Sequence, residues 1–159
     1  MKNLFSIPLS LVRKSLILLL GGILMTSTNI AQAIEVKVNV TGINIKRGGN
    51  IIVMIFGEKG FPKVHKQALA AQTIRATKNT LEFNFVVKNL KNNELAVKVL
   101  HDENGDGKVT KNWTGIIPKE GLGFSNGQKI GITGPPSYKK SKLSKEQFRT
   151  GISIPVKYP

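Results

Sequence analysis

Ile34, Val36, Val38 and Val40 alternate with Glu35, Lys37, Asn39 and Thr41. Alternation with period two buries one face of a strand and wets the other; a helix, with period 3.6, would scatter these side chains around its axis. The pattern returns at Leu81, Phe83, Phe85 and Val87, and again at Ile152, Ile154, Val156 and Tyr158. Pro155 lies inside the last run and has no N–H to donate, so this strand is expected at a sheet edge. Ile51–Phe56 is apolar at every position, and Leu95–Leu100 nearly so, as expected for strands covered on both sides. Only residues 63–74 leave room for a short helix. Short strands separated by turn signals predict an all-β chain, an antiparallel β-sandwich of about seven strands.

Residues 1–33 stand apart from this pattern and read as a signal peptide. Lys2, Arg13 and Lys14 give a positive start, residues 15–25 are apolar, and Ala31-Gln32-Ala33 offers small residues for cleavage. The apolar run falls short of the roughly 20 residues that a membrane-spanning helix needs. The expected mature chain, residues 34–159, is one domain that is exported, periplasmic or secreted, with no transmembrane span after cleavage. The chain has no Cys, so neither disulfides nor a lipidated cysteine can hold it.

The charge distribution singles out one segment. The chain carries 24 Lys+Arg against 9 Asp+Glu, yet Asp102, Glu103, Asp106 and Glu120 gather between two expected strands. Like charges held together need an offset: a bound hard cation, a local lysine (Lys108, Lys111 or Lys119) or water. In Asp102-x-Asn104-x-Asp106-Gly107, oxygen-bearing side chains fall at alternate positions, a spacing that can aim several of them at one Ca²⁺. The helix–loop–helix version of such a site needs a Glu at its twelfth position, where this chain has Trp113. Glu120 is the one distant carboxylate available. The structural reading of the same residues is an Asx-type turn, in which Asp and Asn cap their own backbone and Gly105 and Gly107 take positive φ. Residues 101–138 form a long expected loop, kept ordered by Trp113, Ile116, Ile117, Leu122 and Phe124, with Trp113 and Phe124 pinning it to the sandwich. Gly121–Gly127 is too rich in glycine for a regular element.

The two blocks His101-Asp102-Glu103-Asn104-Gly105-Asp106-Gly107-Lys108 and Gly115-Ile116-Ile117-Pro118-Lys119-Glu120-Gly121-Leu122-Gly123-Phe124-Ser125-Asn126 resemble the signature "hDxNxNGxxD…GxPxEgxGfSn" of family 2141 of the domains of unknown function. That resemblance covers essentially all of the mature chain. It implies an exported bacterial protein with an immunoglobulin-like or prealbumin-like sandwich, and no particular reaction. It also marks His101, Ser125 and Asn126 as loop residues of interest. Thr110 stands where the family often has Asp, which removes one potential oxygen donor.

The expected function is that of an exported, non-enzymatic binding or structural module of the cell envelope. A Ca²⁺ site is the candidate cofactor role of Asp102, Asn104, Asp106 and Glu120. Two alternatives stand beside it. One is a hydrolase-like enzyme using His101 and the nearby acids, although sequence neighbours on a strand point to opposite faces and no nucleophile–base set is legible. The other is a binder of anionic envelope polymer or lipid surface through the basic segment Lys139, Lys140, Lys142, Lys145 and Arg149, by long-range attraction. Nucleic acid is a poor partner for an exported protein.

Overall fold

The computed structural model describes residues 33–88, 90–131 and 133–159. The expected signal peptide lies outside the described residues but for Ala33. Strands run in the order β1 (Ile34–Thr41), β2 (Asn50–Phe56), β3 (Ala70–Arg75), β4 (Leu81–Val87), β5 (Glu94–Asp102), β6 (Gly121–Phe124), β7 (Leu143–Ser144) and β8 (Ile152–Pro155). Two short helices, α1 (Tyr138–Ser141) and α2 (Lys145–Arg149), flank β7. One sheet has the order β4-β1-β8; the other has the order β3-β2-β5-β6, with β7 also pairing β5. The fold is all-β and sandwich-like, as expected, with eight strands among the described residues. All pairs are antiparallel except β1 with β8, which is parallel.

The alternating runs supply the core between the sheets. Val36, Val38 and Val40 of β1 and Phe83, Phe85 and Val87 of β4 meet Ile51, Val53 and Ile55 of β2 and Leu95, Val97 and Val99 of β5. A second apolar cluster covers the outer face of the larger sheet: Met54, Phe56, Leu100, Leu122 and Phe124, with Phe61, Ala68, Val109 and Ile130 packed against it. That second cover is why β2 and β5 carry apolar residues on both sides. Pro155 does lie on an edge strand, β8.

Two expectations need correction. Residues 63–74 hold a single 3₁₀ turn, His65–Gln67, and then β3, because Ala70–Arg75 pairs along the exposed side of β2. The segment 101–138 is not one loop, and Gly121–Gly127 is not irregular: Gly121–Phe124 is β6, paired with β5, and Ser125–Gly127 is a 3₁₀ turn. The glycines there answer a packing demand. After β8 the chain crosses from one sheet to the other: Val156 N–H donates to Thr41 C=O (2.8 Å), and Leu122 and Lys157 exchange backbone bonds of 2.9 and 2.8 Å. The crossing tail lies on β6, so a Cβ at Gly121 would strike the Tyr158 ring and Val156, and one at Gly123 would strike Ile154 (2.7 Å) and the Pro155 carbonyl (3.0 Å).

Gly121→Ala and Gly123→Ala are therefore each expected to destabilise by about 1–3 kcal/mol through overpacking. Gly131→Ala, whose added carbon meets nothing nearer than 3.9 Å, should stay within about 0.5 kcal/mol. Urea unfolding midpoints measure all three; equal midpoints would contradict the close approach.

Candidate functional site

Register builds the site. His101 pairs with Gly121 across β5 and β6, so Asp102 and Glu120 stand at facing strand ends and residues 103–119 connect them. Both carboxylates are buried, at 2% and 3% exposure. Neither has an ion-pair partner among the described residues. Backbone N–H groups offset their charge instead. Asp102 Oδ1 accepts from Gly105 (2.9 Å) and Asp106 (3.1 Å), and its Oδ2 accepts from Gly107 (3.0 Å). Glu120 Oε1 accepts from Glu103 (3.0 Å) and Oε2 from Thr110 (2.8 Å). One carboxylate thus fills the inside of the turn and the other clasps its two ends. Gly105 and Gly107 hold the positive φ this curvature needs, +76° and +69°.

The remaining polar residues complete the turn. Asn104 accepts from Asp106 N–H and donates to the carboxylate of Asp106 and the hydroxyl of Thr110. Asp106 accepts from Lys108 N–H (2.7 Å). Thr110 takes part through its hydroxyl and its N–H. Asp102, Asn104, Asp106 and Glu120 are indeed brought together, and their oxygens point at the backbone of the turn. Among the described residues no group of three or more His, Cys, Asp or Glu side chains is arranged to hold a metal ion. The local lysines expected as an offset are not the partners: Glu103 pairs with Arg47 at 2.7 Å. Arg47 also bonds the Lys119 carbonyl (3.2 Å), joining the two ends of the connection from outside.

His101 and Asp102 point to opposite faces, as strand geometry requires. His101 is fully buried. Its Nε2–H donates to the Gly48 carbonyl and its Nδ1 accepts from the Tyr158 hydroxyl, both at 2.6 Å, while that hydroxyl accepts from Asn44 N–H (2.8 Å). Burial pushes the Tyr158 phenol up from its usual range. Ser125 Oγ accepts from Val97 N–H (2.9 Å) and donates to the Ser141 carbonyl (2.6 Å); Asn126 donates to the Lys140 carbonyl (3.0 Å). These bonds hold the 3₁₀ turn against α1. Phe124 is buried against Phe61, as its pinning role requires.

Trp113 is the exception, and the expectation that it pins the loop is wrong. Its side chain is 95% exposed, with Ile116 at 71% and Ile117 at 54%. Residues 110–119 form a finger whose arms join at the Lys111–Pro118 bridge. Asn112 organises its tip, donating its N–H to the Ile117 carbonyl (2.7 Å) and accepting at its side chain from Ile117 N–H and the Thr114 hydroxyl.

One element of the site is not evident from local pattern. Lys98, on the outer face of β5, is buried at 4% exposure beneath the 61–68 segment. Its Nζ donates to the Pro62 carbonyl (3.1 Å) and to His65 Nε2 (2.6 Å), and His65 Nδ1–H donates to the Gly107 carbonyl (3.0 Å). The acceptor role of Nε2 fixes the neutral tautomer. Burial drives the Lys98 ammonium down to about 8. Burial first, and the Lys98 charge second, lower His65. The relay ties the acidic turn to the sheet beneath it.

The chain belongs to a bacterial family without known activity: the model described as "Uncharacterized protein conserved in bacteria (DUF2141)" matches residues 38–152, more than half of the sequence. No curated protein and no solved structure matches it significantly.

Asp102→Ala removes the buried charged acceptor of three turn N–H groups and is expected to cost about 3–5 kcal/mol, with Glu120→Gln costing about 1–2 kcal/mol through one reversed contact. Chemical denaturation checks both, with hydrogen exchange at Gly105–Gly107 for the first and at Glu103 and Thr110 for the second. Lys98 supplies the pH dependence. Its folded pKa of about 8 lies below the ordinary 10.5, so the unfolded chain holds more protons between those values and stability rises with pH across that window. Wild type should gain on the order of 2–3 kcal/mol relative to Lys98→Met from pH 8 to 10.5. Parallel stability profiles for the two proteins would refute a Lys98 ammonium whose pKa is lowered by burial.

Proposed function

We propose that this member of the family is an exported, non-enzymatic binding or structural module of the cell envelope, and that its working surface is the 101–126 end of the sandwich. The observation that carries the reading is a division of labour within that end. The side chains with chemical capacity, Asp102, Glu120, His101 and Ser125, are turned inward and engaged in bonds that hold the framework. The large apolar side chains Trp113, Ile116 and Ile117 are presented outward on a finger, between the exposed Lys111 and Lys119. A catalytic site has the opposite arrangement, with an acid–base group in reach of substrate. The hydrolase-like alternative would require His101 to give up both of its ring contacts.

Export rests on the N-terminal pattern of Lys2, Arg13, Lys14, the apolar run and Ala31-Gln32-Ala33. No helix among the described residues is long and apolar enough to cross a membrane. The basic segment 139–149 is a weaker candidate for the working surface. Lys142 is paired with Glu94 at 2.7 Å. Phe148 belongs to the core, and Tyr138 packs edge-on against Phe61. Lys139, Lys140 and Arg149 remain outward, as a solvated basic face would have them.

Fractionation of a producing bacterium is expected to place the protein outside the cytosol with Ile34 as its first residue. An uncleaved cytosolic product would end the reading. The calcium alternative is separable. A site of extracellular-module strength, about 10⁻⁴ M, would add roughly 1.4 kcal/mol at about 1 mM Ca²⁺. With the turn already closed by N–H groups, melting in Ca²⁺ and in chelator is expected to coincide. A calcium-dependent rise lost in Asp106→Asn would establish the site instead.

A further inference from the structure

We propose that the 110–119 finger is a membrane-interface anchor, which places Trp113, Ile116 and Ile117 in the headgroup region of an anionic bilayer with Lys111 and Lys119 against its phosphates. The inference names a partner for the working surface and rests on that reading of it.

The apolar exposure at the tip is concentrated. Ile45, Val64, Leu69, Ile74 and Val86 are also exposed, but no two of them are neighbours in sequence. Isolated exposed apolar residues are ordinary. Trp113, Ile116 and Ile117 share one turn. Tryptophan favours the membrane–water interface, where its ring is partly apolar and its N–H stays near water. The finger is also prepared for a medium poor in water. Asn112 N–H bonds Ile117 C=O, Gly115 N–H bonds Asn112 C=O (2.9 Å), Ile117 N–H bonds Asn112 Oδ1, and Lys119 N–H bonds Thr110 C=O (2.9 Å). Backbone groups paired internally do not have to be stripped of water unpartnered.

Charge selects the occupant. Lys108, Lys111 and Lys119 flank the tip, are exposed, and form no ion pair among the described residues. Basic residues beside an inserted apolar group are attracted to anionic headgroups. A protein partner fits less well, since a stable interface needs about 800 Å² from each side and this tip is a single turn. The base is rigid, clasped by Glu120 and Arg47, so little ordering remains to oppose docking.

Trp113 is the only tryptophan in the chain, so its emission reports on the tip alone. The purified full chain is titrated with vesicles of about equal phosphatidylglycerol and phosphatidylcholine, and with phosphatidylcholine alone, at low salt. Expected are a blue shift with the anionic vesicles only, quenching by shallow brominated lipids, and reversal by added salt. Lys111→Glu with Lys119→Glu should weaken partitioning on the order of 10-fold or more. Ile116→Ser with Ile117→Ser should abolish the shift while leaving the melting temperature unchanged. An unchanged spectrum with both vesicle types overturns the proposal, as does an equal shift with both. A shift that grows with protein concentration without lipid overturns it in favour of a second copy. Sedimentation with anionic vesicles without any Trp113 response overturns the finger yet leaves the envelope-module reading intact, with attachment elsewhere. Cell fractionation tests that broader reading independently.

Discussion

The chain's last residues hold the architecture together. A chain without cysteines must close its sandwich without disulfides, and the segment after β8 does this by leaving β1 and pairing with β6. Its route requires bare backbone at Gly121 and Gly123. Once it is in place, Tyr158 reaches His101 and the amide of Asn44, and the Arg47 guanidinium lies 4.8 Å above the Tyr158 ring. β6 is thereby fixed beside the end of β5, which sets Glu120 next to Asp102. The loop end of the molecule is a consequence of how the other end of the sequence is laid down.

That placement answers the electrostatic problem set by the acidic cluster. Two buried carboxylates would be costly without compensation. Here successive N–H groups of one turn converge on Asp102, and the two ends of the turn converge on Glu120. Backbone dipoles in such an arrangement form an anion-binding concavity, and the anion is the protein's own side chain. Lys98 and His65 secure the turn from beneath and Arg47 secures it from the side. The Glu120 clasp, the Lys98–His65 relay and the Arg47 contacts together make the base of the 103–119 connection a firm support.

The strand pattern was legible because alternation is a local property, and the double cover of β2 and β5 could be read from apolar runs that only Lys98 interrupts. The opposed faces of His101 and Asp102, and the edge place of Pro155, followed from strand geometry in the same way. The misread elements depend on distant residues. Glycine at 121 and 123 looks like flexibility until Tyr158, Val156 and Ile154 are known to lie on top of it. Lys98 sits where alternation allows a solvent-facing side chain, and only the 61–68 segment buries it. Trp113 in a glycine-rich stretch reads alike whether it turns in or out. The distinguishing hint was its setting, Lys111-Asn112-Trp113-Thr114-Gly115, since a turn flanked by polar residues has no second face to bury. Asp102 and Asn104 were recognisable as oxygen donors, but spacing does not tell whether those oxygens meet an ion or the backbone.

Rigid support and apolar tip acquire meaning together. Burying a large apolar side chain gains about 1.5–3 kcal/mol, so a flexible connection carrying Trp113, Ile116 and Ile117 would be expected to fold back onto the sheet. Val109 and Leu122, at either end of the connection, do pack on the outer cluster. The residues between them are held off by the Glu120 clasp, by the Arg47 contact at the Lys119 carbonyl and by the Lys111–Pro118 bridge. The finger therefore keeps an exposure that its own sequence would tend to remove. Polar contacts at the base maintain that exposure, and an apolar surface brought to the tip would relieve it.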